Sequence, residues 1–270
     1  MEIFRSFDVM ASQSQRSAVT IGSFDGIHCA HQELLRRVRE RARCEGARSV
    51  AVTFDPHPVA VLAPEKAPHL LTPLPIKLEL LERSGIDCVL ILPFTLEFSR
   101  WSPERFVEEV LVKALRTESV LVGDNFCFGH QHAGTPQTLE ELGARWNFRT
   151  EILPKMIYRR MTVSSSQIRM LLESGKIPLA NRLLRHPFNI RGPIEPGLGI
   201  GKSQTVPTFN LGAYPGLLPQ DGVYLTVARI AHGETAAENI ADDPGALSRP
   251  LRSVTNVGRR PTFGKRELGV

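Results

Sequence analysis

No stretch of the 270-residue chain approaches the roughly 20 apolar residues that a membrane-spanning helix needs. Met1 to Arg16 hold no apolar segment of the kind that marks a secretory leader, so neither export nor a membrane partner is expected. Cysteine is sparse: Cys29, Cys44, Cys88 and Cys127 never fall into a CxxC pair. Such spacing suits reduced thiols in a cytoplasmic protein and argues against a disulfide framework. Aromatic residues make up only 7% and are not interleaved with basic ones, as single-strand nucleic-acid binders require. The net charge of +5 is modest, although Arg36, Arg37, Arg39, Arg41 and Arg43 give one segment a basic outer face. Nucleic acid is therefore not the expected partner. The G-x-G-x-x-G fingerprint is missing after the first strand pattern, which argues against a dehydrogenase. Gly197 to Ser203 approaches a Walker loop but has Pro196 where that pattern needs glycine.

What is present is a globular composition, 42% hydrophobic and 23% charged, in a length that suits one large or two medium domains. Ala18 to Ile21 is short and apolar, as a strand buried on both faces should be. Gly22-Ser23-Phe24-Asp25-Gly26 follows as a turn, and His31 to Cys44 as a helix with Leu34, Leu35, Val38 and Ala42 as its apolar stripe. His28 and His31 are three apart and share one face of that helix start. A helix N-terminus favours anions through its free N–H groups, so two imidazoles there form a candidate nucleotide-phosphate site. The same pair could also be nothing more than polar residues at a helix start. Further strands are expected at Val50–Phe54, Cys88–Leu92, Ser119–Val122 and Arg149–Leu153, with helices between them. Five strands alternating with helices predict a parallel sheet with right-handed crossovers, ending near Leu184.

Three more clusters fall at the ends of these strands. Asp55-Pro56-His57-Pro58 is a proline-stiffened loop after the second strand, where open α/β sheets bind ligands. Gly123-Asp124-Asn125-Phe126-Cys127-Phe128-Gly129 follows the fourth, its phenylalanines suited either to a ligand or to plugging the core. Val163-Ser164-Ser165-Ser166-Gln167-Ile168-Arg169 reads as a serine-capped helix start with an arginine a little over one turn in. Serine N–H groups and a planar guanidinium both suit phosphate, though a capped helix with a surface arginine would look the same.

Taken together, Gly22-x-Phe24-Asp25-Gly26-x-His28-x-x-His31, Thr53-Phe54-x-Pro56-His57-Pro58, Gly123-x-Asn125-Phe126-x-Phe128-Gly129 and Ser164-Ser165-x-x-Ile168-Arg169 resemble the motifs of the bacterial bifunctional riboflavin kinase/FMN adenylyltransferases. These are HIGH-type nucleotidyltransferases. Ala30 stands where that family usually has glycine. The resemblance implies a Rossmann-like α/β nucleotidyltransferase domain over residues 1–185. In it His28 and His31 would stabilise the α-phosphoryl group of ATP. Ser164, Ser165 and Arg169 would take the β- and γ-phosphates, and Phe54, Pro56, His57, Asn125, Phe126 and Phe128 would hold FMN. Gly22, Phe24, Asp25 and Gly26 would line the nucleotide turn, with Mg²⁺ bridging the phosphates.

From Pro187 the helical period fades and glycine, proline and short apolar runs dominate, which reads as a small β domain. By resemblance this is a riboflavin-kinase β-barrel over residues 186–270. Gly199, Gly201 and Lys202 would lie in its glycine-rich loop, and Thr208 and Asn210 would hold Mg²⁺ and ATP. The family continues past this region with a glutamate that acts as the kinase's general base. The barrel is therefore expected to be incomplete and riboflavin phosphorylation absent. The expected activity is FAD synthesis from ATP and FMN. Two alternatives are another HIGH-type nucleotidyltransferase and a non-catalytic flavin- or nucleotide-binding protein.

Overall fold

Apolar runs of five or six residues with no polar alternation can be satisfied only by a sheet covered on both faces, and such a sheet is found. The computed structural model describes residues 1–12, 15–195, 209–231, 248–259 and 266–269. They divide into two compact units: Met1–Pro68 with Ile76–Ser164, and His69–Pro75 with Ser165–Val270.

In the first unit the elements run β1 (Glu2–Phe4), α1 (Phe7–Ala11), β2 (Ser17–Ile21), α2 (Cys29–Glu45), β3 (Arg48–Asp55), α3 (Pro58–Leu62), α4 (Leu74–Arg83), β4 (Cys88–Pro93), α5 (Pro103–Phe106), β5 (Thr117–Gly123), α6 (Pro136–Trp146) and β6 (Arg149–Leu153). A short hairpin, β7 (Ile157–Tyr158) and β8 (Met161–Thr162), follows. The helix expected from Pro103 to Leu115 changes pitch: α5 runs on as a wider π-helical segment, Val107–Ala114. The six strands pair in parallel in the order β1-β4-β3-β2-β5-β6. Five of them match the sequence reading. β1 is a three-residue edge strand, too short to show a pattern. Every residue of β2 is buried. Val19, Ile21, Val50, Val52, Leu90, Leu92, Val120 and Val122 pack with Phe106, Leu111, Leu139 and Phe148 in one core.

The chain leaves β2 toward β3 and β4 on one side, and later adds β5 and β6 on the other. The order therefore reverses between β2 and β5, and the carboxyl ends of these strands form the crevice where open α/β sheets bind ligands. Cys29, Cys44, Cys88 and Cys127 are free thiols.

The second unit begins with α7 (Ser165–Glu173) and α8 (Ile177–Leu184) and continues with β9 (Ile194–Glu195), β10 (Asn210–Leu211), β11 (Gly222–Ala228), β12 (Leu251–Arg259) and β13 (Arg266–Gly269). The strands pair antiparallel in the order β11-β12-β13-β10-β9. Among the described residues this is an open sheet rather than a closed barrel. The change of texture read after Pro187 falls later than the division at Ser164, because α7 is tied into this unit. Gln220 N–H donates to the Leu172 carbonyl at 3.0 Å, and Leu217 N–H to that of Leu70 at 2.8 Å.

Candidate active site

The β2–α2 turn carries three residues with positive φ. Phe24 (φ 47°) and Ile27 (φ 38°) are non-glycine residues in the left-handed region, and Gly26 lies there too (φ 85°). Strain of this kind persists only where packing over-determines it, and it concentrates at functional turns. Phe24 and Ile27 are both buried, and the Gln32 amide donates to the Ile27 carbonyl at 2.8 Å. The glycine requirement falls on Gly26. At Gly22 an added Cβ would stand 3.5 Å from the Phe24 ring, an ordinary contact.

His28 is the N-cap of α2, so the helix begins at Cys29, two residues before the point read from the sequence. Its Nδ1 accepts from the His31 backbone N–H at 3.4 Å. The acceptor role places the proton of the neutral ring on Nε2, which is thereby a donor. The His28 and His31 rings stack with centroids 3.6 Å apart and planes 15° from parallel, and Phe24 meets His31 edge-on at 5.3 Å. His28 is 5% exposed, and burial lowers its pKa to about 4 despite the neighbouring Asp25 carboxylate. Burial, then His28 and Lys77, hold His31 well below the usual histidine range. The pair is therefore neutral at pH 7 and offers hydrogen bonds rather than fixed charge. Among the described residues His31 Nδ1 is buried without a hydrogen-bond partner.

Asp25, in the same turn, is 2% exposed. Asp55 closes β3, and the loop after it passes through a cis Asp55–Pro56 bond to His57. His57 caps α3, its Nδ1 accepting from Val59 N–H at 3.3 Å. Lys77, on α4, is buried and electrostatically coupled to Asp25 and Asp55, and burial lowers its pKa. Sequence reading missed it because a helical lysine normally reads as solvated. The available signal was its place four residues before the buried Leu81, on the apolar stripe.

At the end of β5, Asn125 is exposed and its Oδ1 lies 3.1 Å from the position of a Cβ on Gly123. Phe126 and Phe128 stack at 5.4 Å, but they differ in burial. Phe128 belongs to the core, its backbone bridged to Gly134, where a Cβ would lie 2.7 Å from the Phe128 ring. The core-plug reading therefore describes Phe128, while Phe126 is only partly buried. Aromatic contacts run from Phe54 through Phe98 and Phe106 to Phe128, joining the ends of β3 and β5. Phe98 was not anticipated from the sequence.

The basic face of α2 is largely engaged locally. Arg36 pairs with Glu33 and Glu40, Arg37 and Arg41 pair with Glu151, and Arg39 donates to the Ser84 carbonyl. Ser164 ends the first unit, half-buried. In the second unit Ser165 opens α7, and Arg169 Nε donates to the His69 carbonyl at 2.9 Å. Asn210 lies in β10. Gly199, Gly201, Lys202 and Thr208 lie outside the described residues. Among the described residues no three His, Cys, Asp or Glu side chains converge as a metal site, and no helix is long and apolar enough to cross a membrane.

The FAD synthetase family model matches residues 10–167, and the riboflavin kinase model matches residues 184–270. The chain belongs to the bifunctional riboflavin kinase/FMN adenylyltransferase family. A bifunctional riboflavin kinase/FMN adenylyltransferase from Escherichia coli K12 is 32% identical over 97% of this chain and 79% of its own length. One from Pseudomonas fluorescens is 33% identical over 100% of this chain and 82% of its own length. A crystal structure of a macrolide-efflux protein from Streptococcus pneumoniae superposes with a TM-score of 0.80 at 24% identity, over 100% of this chain and 84% of that one. At that identity the likeness concerns the fold alone. The kinase match corrects one expectation. A family-model domain for riboflavin kinase is present, so the reading of a truncated kinase with no activity is not supported. It had rested on a single glutamate and on where the sequence stops, neither of which outweighs a match over the whole region.

Proposed function

We propose that the chain transfers the adenylyl group of ATP to the phosphate of FMN, forming FAD and releasing pyrophosphate. The observation that carries this reading is the stacked, neutral His28–His31 pair, with His28 buried, at the N-terminus of α2, beside the switch point of a parallel sheet. The terminal phosphate of FMN attacks the α-phosphorus, and the bond to the β-phosphate oxygen breaks. Phosphoryl transfer of this type needs positioning and charge stabilisation more than covalent help. His28 Nε2–H is a preorganised donor to an α-phosphoryl oxygen, and His31 brings a second hydrogen-bonding nitrogen, Nδ1, that has no partner among the described residues. Ser164, Ser165 and Arg169 are assigned the β- and γ-phosphates, and Phe54, Pro56, His57, Asn125 and Phe126 the flavin side. These assignments rest on the motif resemblance and family membership.

Mg²⁺ takes oxygen ligands and commonly rides on nucleotide phosphates with one or two carboxylates. Asp25 and Asp55, on adjacent strand ends, fit that pattern, and the ion would neutralise phosphate charge. In the second unit, the Gly199–Lys202 loop with Thr208 and Asn210 is assigned the riboflavin kinase site, with riboflavin and ATP as substrates.

Purified protein incubated with Mg-ATP and FMN should yield FAD and pyrophosphate in equal amounts. His28→Asn keeps a good N-cap while removing the imidazole, so it should fold normally and lose about 10²-fold in turnover. No FAD from the wild-type chain would defeat the reading, and undiminished turnover in His28→Asn would remove His28 from it.

A further inference from the structure

The β7–β8 hairpin turns in two residues. Tyr158 pairs with Met161, which leaves Arg159 (φ 46°) and Arg160 (φ 66°) as the connection, both in the left-handed region. Such a turn follows the twist of its strands, and asparagine and glycine adopt it at least cost. Two arginines are the strained choice, and strain that brings the fold nothing points to function. Both side chains are exposed, and among the described residues neither makes a hydrogen bond or an ion pair. Arg159 only lies over the adjacent Tyr158 ring, its guanidinium carbon 5.5 Å from the centroid. The arginines of α2, in contrast, are engaged by Glu33, Glu40 and Glu151. Arg185, also at positive φ, is the C-cap of α8, where helices commonly end in this conformation. No such account covers Arg159 and Arg160.

We propose that Arg159 and Arg160 bind the β- and γ-phosphates of ATP and hold the pyrophosphate as it leaves. The inference rests on the adenylyl-transfer reading above. Position is the first argument. β6 pairs with β5 as far as Leu153 beside Gly123, so the hairpin rises from the carboxyl-end rim of the sheet. The Asp124 N–H donates to the Leu153 carbonyl at 2.9 Å, tying its entry to the loop that carries Asn125. The Val163 N–H donates to the Met156 carbonyl at 2.9 Å and closes its base immediately before Ser164. Arg160 is three residues along the strand from Val163, a rise of about 10 Å that a long arginine and a triphosphate tail span between them. Charge is the second argument. The tail of ATP is a polyanion, and the neutral His28–His31 pair gives it hydrogen bonds but no fixed charge. Two permanently charged, planar guanidinium forks match phosphate oxygens. As the FMN oxygen bonds to the α-phosphorus, the bond to the β-phosphate oxygen breaks and its electron pair leaves with pyrophosphate. Cations there stabilise the charge that develops. On the FMN phosphate the same cations would instead blunt the nucleophile.

The test is FAD formation by the full chain, varying ATP and FMN separately. Arg159→Asn combined with Arg160→Gly installs the dipeptide this turn prefers, so the thermal midpoint should hold or rise. KM for ATP should nevertheless rise about tenfold or more, the scale of lost charged hydrogen bonds, and inhibition by added pyrophosphate should weaken by a similar factor. KM for FMN should stay within about threefold, since no contact to it is removed. Arg159→Lys with Arg160→Lys, which keeps the charge but not the fork, should recover part of the ATP affinity. Equal rises in both KM values, a rise for FMN alone, or no rise in either would overturn the assignment. Should the first pair of substitutions lower the midpoint, Arg159→Gln with Arg160→Gln is read by the same split. Loss of the fold in both would make the arginines structural and end the proposal. A wild-type chain that makes no FAD would instead defeat the underlying reading, whereas an active wild type with no KM split defeats only the role of the hairpin.

Discussion

The parallel sheet of the first unit and the β11–β12 ladder of the second solve opposite problems. In β2 every residue is buried and in β3 the five from Ser49 to Thr53 are, while Asp55 at the carboxyl end of β3 is exposed. In the ladder, Val223, Leu225 and Val227 point outward, Leu225 being 93% exposed, with Val254 opposite it. The other face carries Thr226, Ser253 and Thr255, joined by hydroxyl hydrogen bonds of 2.7 Å. Apolar residues thus lie outside and polar ones within, the reverse of a solvated antiparallel sheet. Burial on both faces makes the first unit able to keep neutral histidines and a lysine away from water. The ladder holds nothing comparable among the described residues.

The sharpest way to break this contrast is to remove packing under the site. Leu35, four residues after His31 on α2, is fully buried, and Leu35→Ala should cost about 3 kcal/mol of stability in denaturant unfolding. A cost near zero would mean that the helix is not braced as the structure shows.

Acid should separate the two regions next. His28 titrates at about 4 when folded against 6.5 in the free side chain. Below pH 6.5 the unfolded chain gains a proton that the folded chain refuses until about pH 4. Stability from this group is therefore complete above pH 6.5 and falls as the pH drops to 4. The difference amounts to about 3 kcal/mol. It should appear as a steeper acid loss in the wild type than in His28→Asn, measured by denaturant midpoints at each pH. Parallel curves would place His28 in contact with water.

Much of this was legible in the residues, for reasons that differ between regions. The apolar runs at Val19, Val50, Leu90 and Val120 left a double-covered sheet as the only arrangement that buries them. His28, His31, Asn125 and the proline loop were legible because they lie directly after those strands. Lys77 was not, since its burial depends on where α4 rests rather than on anything in the helix itself. Phe128 was ambiguous for the same reason: a phenylalanine in a loop reads alike whether it faces a ligand or Gly134. In the ladder the alternation of β11 says that two faces exist but not which is covered.

Two smaller effects test that last point. Thr226 sits at the centre of the hydroxyl cluster, so Thr226→Val should cost about 1 kcal/mol through lost hydrogen bonds at constant shape. Leu225→Thr keeps a residue suited to strands and alters a side chain that meets mostly water. It should change stability by about 0.5 kcal/mol or less, most of it from the cross-strand contact with Val254. The two substitutions together read the orientation of the sheet directly. If Leu225→Thr proved the costlier, by about 2 kcal/mol, the apolar face would be covered in solution and the hydroxyl face would be the wet one. The ladder would then follow the same rule as the parallel sheet, and the contrast between the units would reduce to the chemistry at their strand ends.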